Sequence, residues 1–339
     1  MLRESDPELS LGTRIIYSFE VRMRPAFLFN CDYFDPDKAE GDFREEYAQA
    51  SRLFGRVLLC SVDDFFEKGI LRIRAADEPT ELIYRGWMMS VENYTRFYYA
   101  LREKNYFLIN DPEQYRECHH FPFWYSKLHD YTAESVFMDL PVDRANIPGL
   151  LQQFGDSPLM VKDYVKSRKH EWHEACFIPK ASDLDNALRV VECFIERQGD
   201  DIAGGIVLRK YMDLQMVGRH EKSRMPIARE LRVFCRKNIP FACIGYWTGD
   251  EDKEVVPERL LRACSCLNSD FYTVDLALTV SGEWVIIEVG DGQVSGLQGY
   301  DASRFYVSML DSLAENAKGE GMYGMEKNTG NEPFVDASF

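Results

Sequence analysis

The chain opens its ordered part as a repeated alternation of short apolar runs and amphipathic stretches. The first apolar run, "RPAFLFNCDYF", has strand length and ends in polar residues. In the following "DFREEYAQASRLFG", Phe43, Tyr47, Ala50 and Phe54 recur at helical spacing, and Gly55 stands where a C-cap glycine belongs. "RVLLCSV" reads as a second strand, and the same order continues through "ELIYRGWMMS", the amphipathic "VENYTRFYYALREK" and "YFLIND". Strand, helix, strand in repetition predicts a small N-terminal α/β domain over about 23–145 with a mostly parallel sheet.

A turn-rich segment, "DLPVDRANIPG", ends this domain near Pro141 to Gly149. Beyond it, "PLMVKDYV" is a strand carrying one lysine, "DLDNALRVVECFIERQG" a helix closed by Gly199, and "GGIVLRKYMDLQ" another strand. "RELRVFCRKNIPFACIGYW" then alternates with period two across a tight turn at Lys237 to Pro240, and "YTVDLALTVSGEWVIIEVGDG" repeats that design around Ser281-Gly282. Both read as antiparallel hairpins. The fold class expected is therefore α+β, with units at 146–210 and 211–318. A leader at 1–22 and a glycine-rich, polar tail at 319–339 read as loose ends.

Composition narrows the partners. At 339 residues and 45% hydrophobic, the chain can bury two or three subdomain cores. Fifty-six acidic against 40 basic residues give a formal charge of -16, which disfavours nucleic acid and anionic membrane surfaces. Nine cysteines without paired CxxC spacing fit a reducing compartment. No apolar run approaches the ~20 residues of a membrane span, and the N-terminus lacks the basic start of a signal peptide. A cytoplasmic location is expected.

The chemistry concentrates in the second half. Asp275 interrupts the apolar "FYTVDLALTV" and Glu288 interrupts "EWVIIEV", one on each arm of the last hairpin. Counting outward from Ser281-Gly282 sets Asp275 opposite Glu288, with Cβ atoms ~5 Å apart on one face. Two carboxylates that close repel unless a cation lies between them. With Asp291 just past the strand end they offer three hard oxygen ligands, suited to Mg²⁺ or Mn²⁺ and not to zinc. The alternative is acids that face solvent or cap a loop. Lys162, Arg209, Lys210 and Arg232 sit on strands among apolar neighbours, where an anion partner or snorkelling must satisfy them. Four cations with three acids point to a nucleoside triphosphate site. Six histidines form no HxxxH zinc pair, "HEWHEA" reads as a solvated turn and "DEDKE" as a solvated loop. Neither a Walker A loop nor a GxSxG elbow is present.

Taken in order, these motifs resemble the ATP-grasp superfamily. A lysine strand (Lys162), a hinge strand ("VLRKYMDL"), Glu230 with Arg232, Asp275, and "IEVGDG" follow one another as in that fold. "IVLRKYMDL" followed by "RELRVF" is similar to the eukaryotic cell-division-cycle ATP-grasp proteins that help assemble a translation initiation factor. With "YRGWMM" and "EVGDGQVSGL" added, the pattern is most similar to a largely uncharacterised, mainly bacterial ATP-grasp clade. The resemblance covers about residues 25–315. It implies two α+β subdomains gripping ATP behind a pre-ATP-grasp α/β domain. It further implies Lys162 on the α- and β-phosphates, Arg209, Lys210 and Tyr211 along adenine, Asp213 at the ribose, and Glu230 and Arg232 in the ATP site, with Arg232 at the γ-phosphate. Asp275 and Glu288 take the metal. Gly290 replaces the asparagine usual two residues after the glutamate, and that ligand role passes to Asp291. Arg85, Gln293 and Ser295 are assigned to the acceptor substrate. The activity implied is a carboxylate-amine ligase using ATP and Mg²⁺. The alternatives are an ATP-binding assembly factor for a protein partner, and ATP-dependent modification of nucleic acid.

Overall fold

The computed structural model describes residues 24–219, 226–250 and 256–313. The expected leader and tail lie outside the described residues. The first sheet joins β1 (Ala26–Asn30), β2 (Val57–Cys60), β3 (Thr80–Arg85) and β4 (Tyr106–Leu108) in the order β2-β1-β3-β4, all parallel. Helices α1 (Arg44–Phe54), α2 (Val62–Lys68) and α3 (Val91–Arg102) connect the strands. Every residue of β1 is buried, as a parallel strand covered on both faces requires. Gly55 ends α1 at φ +74°, a left-handed cap that glycine adopts without a Cβ clash. Two further helices follow, α4 (Pro112–His119), started by an Asp111–Gln114 capping box, and α5 (Phe121–Leu128).

The second sheet is antiparallel, in the order β5-β8-β6-β7, from β5 (Ser135–Asp139), β6 (Leu159–Asp163), β7 (Phe177–Ile178) and β8 (Gly205–Lys210). It packs on α6 (Ile147–Gln152), α7 (Trp172–Ala175) and α8 (Leu184–Gln198). Because β5 pairs with β8 from Ser135↔Arg209 to Asp139↔Gly205, this subdomain starts before Ser135 and not at 146 as expected. The partner of β5 lies far along the chain, where local periodicity carries no information about it. "HEWHEA" is likewise not a solvated turn: Trp172 opens α7 and stacks on Phe177 at 5.1 Å.

The third sheet has the order β12-β11-β13-β14, and a small ribbon of β9 (Met216–Arg219) and β10 (Pro226–Ala228) precedes it in the chain. Its strands are β11 (Glu230–Arg236), β12 (Ile239–Gly245), β13 (Phe271–Leu278) and β14 (Trp284–Asp291), with α9 (Glu258–Cys264) between the hairpins. The first hairpin turns where expected, with Lys237 and Asn238 both at positive φ (+46° and +64°). One face of the sheet, through Leu231, Val233, Val274 and Leu276, packs on Phe121 and Trp124 of α5 and Leu260 of α9. On the other face, Phe234 and Phe271 join Phe27 and Phe29 of the first sheet and Phe305 of a helix over 302–313 in one core. That shared core fixes the N-terminal domain beside the third sheet. No helix among the described residues is long and apolar enough to cross a membrane.

The last hairpin carries the expected pair, Asp275↔Glu288, by an unexpected route. Near the turn the register runs Leu276↔Ile286 and Leu278↔Trp284, and it shifts between Asp275 and Leu276. Ile287 is thus an extra residue, a β-bulge that offsets a hairpin loop one residue longer than counted. The burial of β14 shows the change of phase: Trp284 and Ile286 are buried before the bulge, Val289 and Asp291 after it.

Candidate active site

A cleft of about 590 Å³ opens between the second and third sheets, with the loop after β3 at one end. The strands set its charges. Lys162, on the strand foreseen in "PLMVKDYV", points from β6 across to β14, where its Nζ donates to Glu288 Oε2 at 2.6 Å. Its side chain is 7% exposed, so the ion pair is what keeps its charge in this setting. Arg232, opposite Asp275 on β11, grips that carboxylate with two parallel bonds, Nε to Oδ1 at 2.8 Å and Nη2 to Oδ2 at 2.7 Å. Burial acts against the guanidinium, the Asp275 charge outweighs it, and the Arg232 pKa is raised. Its planar group also lies 4.8 Å from the centre of the Tyr246 ring.

Lys169, on the stretch after β6, lines the same cleft and escaped the sequence reading. Burial opposes its charge, but Glu230, Tyr246 and Glu288 outweigh burial and raise its pKa. The Glu230 carboxyl is pushed away from its usual ionised state: burial raises its pKa, with Lys169 pulling against that. Nothing in "VKSRKHEWHEA" singles out Lys169, because three cations crowd a segment without apolar periodicity. Tyr246 and Trp247, just past β12, also line the cleft and were missed.

The structure gathers Lys162, Glu230, Arg232, Asp275, Glu288 and Ser295 on one cleft, together with Lys210 and Tyr211 at the end of β8. The other assignments need correction. Arg209 lines the cleft, but its guanidinium is committed to the protein: it donates to Ile287 O at 2.5 Å, Ile286 O at 3.2 Å and Thr132 Oγ1 at 2.6 Å. It ties the second sheet to the bulge on β14, and burial pushes its pKa down. Asp213 is exposed and contributes a backbone carbonyl to Val280 N. Arg85 is 1% exposed and forms a bidentate pair with Glu46 at 2.8 and 3.1 Å, also donating to Gly292 O at 2.6 Å. Gln293 is fully buried, donating to Tyr94 Oη at 2.8 Å and accepting from Tyr84 N at 3.2 Å. These two residues join the domains and do not face an acceptor.

Asp291 departs furthest from expectation. It sits three residues beyond Glu288 in a strand that continues through it, so it points to the opposite face. Its carboxylate accepts from Asn110 Nδ2 at 2.6 Å and Gln293 N at 2.9 Å. Burial raises its pKa to about 6 against those hydrogen bonds. The place of the usual asparagine is filled from elsewhere: a Cβ at Gly290 meets Thr273 Oγ1 at 2.9 Å and Ser295 Oγ at 3.1 Å. Those two hydroxyls bond each other at 2.8 Å.

Among the described residues no three His, Cys, Asp or Glu side chains come together as a metal cage. Two facing carboxylates are nevertheless a donor set that fits Mg²⁺, which binds one or two protein carboxylates and completes its shell with water and phosphate oxygens.

Residues 153–311 match a family model for the ATP-grasp domain, the third family of its clade. Among solved structures, D-cycloserine synthetase DcsG superposes with a TM-score of 0.56 at 13% identity, over 85% of this chain and 99% of that one. The ATP-grasp ligase PsnB, complexed with minimal precursor, Mg and ADP, gives 0.50 at 12% identity, over 86% and 98%. N5-carboxyaminoimidazole synthase from Aspergillus clavatus, with ADP and 5-aminoimidazole ribonucleotide, gives 0.50 at 13%, over 86% and 78%. No curated protein matches the chain by sequence.

Proposed function

We propose, on the ATP-grasp fold that this chain carries, that it is an ATP- and magnesium-dependent ligase joining a carboxylate to an amine through an acyl phosphate. The observation that carries the reading is the Asp275–Glu288 pair facing a cleft whose other charged walls are Lys162, Lys169 and Arg232. The reaction balances without an outside reagent. The γ-phosphoryl group of ATP moves to a carboxylate oxygen and ADP leaves. The amine nitrogen then bonds to the carbonyl carbon, phosphate departs, and the amine proton passes to phosphate or solvent.

Each side chain has a part in this. Asp275 and Glu288 would hold Mg²⁺, which when bound supplies charge neutralisation for the transferring phosphoryl group. Lys162 and Lys169 reach phosphate oxygens as mobile point charges, and the Arg232 fork stabilises the equatorial oxygens of the γ-phosphoryl group. The two ion pairs already present make this exchange balanced. When Lys162 turns to a phosphate and Glu288 to a cation, neither is left buried and unpaired. Tyr211, Trp172 and Phe177, in mutual ring contact at 5.1–5.9 Å beside the cleft, give adenine an aromatic wall.

The test supplies Mg-ATP with a pool of amino acids and metabolites. ADP and phosphate released only when an acceptor is present support the ligase. AMP release refutes the acyl phosphate, and tight ATP binding without turnover favours an assembly factor.

A further inference from the structure

The end of the cleft nearest the parallel sheet is built unlike its charged centre. Trp87 and Met88, on the loop leaving β3, are 51% and 43% exposed and line the cleft. This loop is held from behind. Trp87 Nε1 donates to Glu40 Oε1 at 2.9 Å, and the Tyr115 hydroxyl accepts from Met89 N at 3.1 Å and donates to Met89 O at 2.8 Å. Tyr115 then stacks on the imidazole of His119, with ring centres 4.8 Å apart.

His119, the last residue of α4, lines the same cleft and is only 8% exposed. Its ring touches Tyr115 and His120, and neither ring nitrogen hydrogen-bonds to another described residue. An imidazole so far withdrawn from water requires partners for its polar atoms, and the open side here is the cleft. Burial, with His120, Lys166 and Lys162 adding to it, drives the His119 pKa down to about 3. The ring is therefore neutral and offers one N–H donor and one acceptor. The charges around it are cationic, so the field favours an anionic group in front of it.

We propose that this end of the cleft receives the acceptor acid, with its carboxylate taking a hydrogen bond from His119 and an apolar body lying on Trp87 and Met88. The substrate class is an amphipathic acid: an amino acid or peptide end with an aliphatic or aromatic side chain. This rests on the ligase reading and names the acceptor for it. The electrostatics and the wall agree, since a cationic field takes the acid group and two large exposed apolar side chains take the rest.

The probes are leucine, phenylalanine, lysine and glutamate, each added singly to the full chain with the magnesium complex of a non-hydrolysable ATP analogue. Binding is read by calorimetry, and ADP release with ATP is measured in parallel. Leucine and phenylalanine are expected to bind at least about tenfold more tightly than lysine or glutamate. Trp87→Ala, Met88→Ala and His119→Ala each weaken them about tenfold, His119→Gln, which keeps a donor, stays within about threefold, and the nucleotide affinity stays unchanged throughout. Trp87 and Met88 are half-exposed, so the outcome does not depend on His119→Ala folding. Equal binding of all four acids, no binding of the apolar pair, or indifference to the Trp87 and Met88 variants overturns the proposal. Binding with this pattern but without ADP release keeps the subsite and removes the ligase reading.

Discussion

Asp275 and Glu288 are direct partners across the β13–β14 hairpin, and each is neutralised by a cation from a different strand, Arg232 from β11 and Lys162 from β6. The two acids therefore stand side by side without a shared proton, ready to exchange their cations for a metal. Asp275→Asn and Glu288→Gln are each expected to weaken Mg-ATP binding by at least about 1.4 kcal/mol, a factor of ten. Calorimetric titration with Mg-ATP checks this, and unchanged affinity in both variants refutes the metal assignment.

Arg232 acts through its planar fork. Arg232→Lys keeps the charge but loses the bidentate grip on Asp275 and on a transferring phosphoryl group. We expect kcat to fall at least about tenfold while ATP affinity changes by less than about threefold. A loss confined to ATP affinity would instead make Arg232 a ground-state ligand.

Asp291 provides a pH signature. Its folded pKa of about 6 lies above the ordinary 3.8, so between those values the folded chain holds a proton that the unfolded chain has released. Stability contributed by that proton is present below pH ~4, declines as pH rises through the window, and has cost about 3 kcal/mol above pH ~6. Asp291→Asn should flatten this slope in denaturant titrations between pH ~4 and ~7, and should leave Mg-ATP affinity within about twofold. A tenfold loss of affinity would return Asp291 to the metal.

Gly290 is small because Thr273 and Ser295 have taken its space. Gly290→Asn on its own is expected to lower stability by about 1–3 kcal/mol through crowding against the Thr273 hydroxyl. Adding Thr273→Ala should recover at least half of the loss in thermal unfolding. Full tolerance of the single change would show that the two hydroxyls yield freely.

Arg85 holds domains together. Arg85→Ala leaves Glu46 buried without its partner and two carbonyls without a donor, and is expected to cost about 3–5 kcal/mol of stability. Where the variant folds, its acceptor KM should match the wild type. A raised KM at unchanged stability would restore Arg85 to the substrate.

What the sequence discloses here follows the range of each physical signal. Period-two and helical patterns placed the strands of both hairpins and the helices that begin at Arg44, Val91 and Leu184, because each depends on neighbours a few residues apart. The charged strand residues Lys162, Arg232, Asp275 and Glu288 stood out because apolar neighbours make an isolated charge costly. Arg85 carried the same signal, yet its partner Glu46 lies on another element, and nothing local separates a buried tie from a ligand. Asp291 was misplaced because the strand was read as ending before it. Lys169 and His119 lack any pattern of their own, and only the fold brings them to the cleft.

The bulge at Ile287 separates the fate of the turn from that of the site. On the turn side of Ile287 the strand keeps one parity of inward residues, and on the cleft side it keeps the other. Insertions at Ser281-Gly282 can therefore lengthen the loop without disturbing which acids meet. Removing a single residue between Ile286 and Glu288 would rotate the cleft half by one position, turning Glu288 into the core and presenting its hydrophobic neighbours to the phosphates. Arg209, by holding the carbonyl of Ile287, acts as the latch on that reading frame.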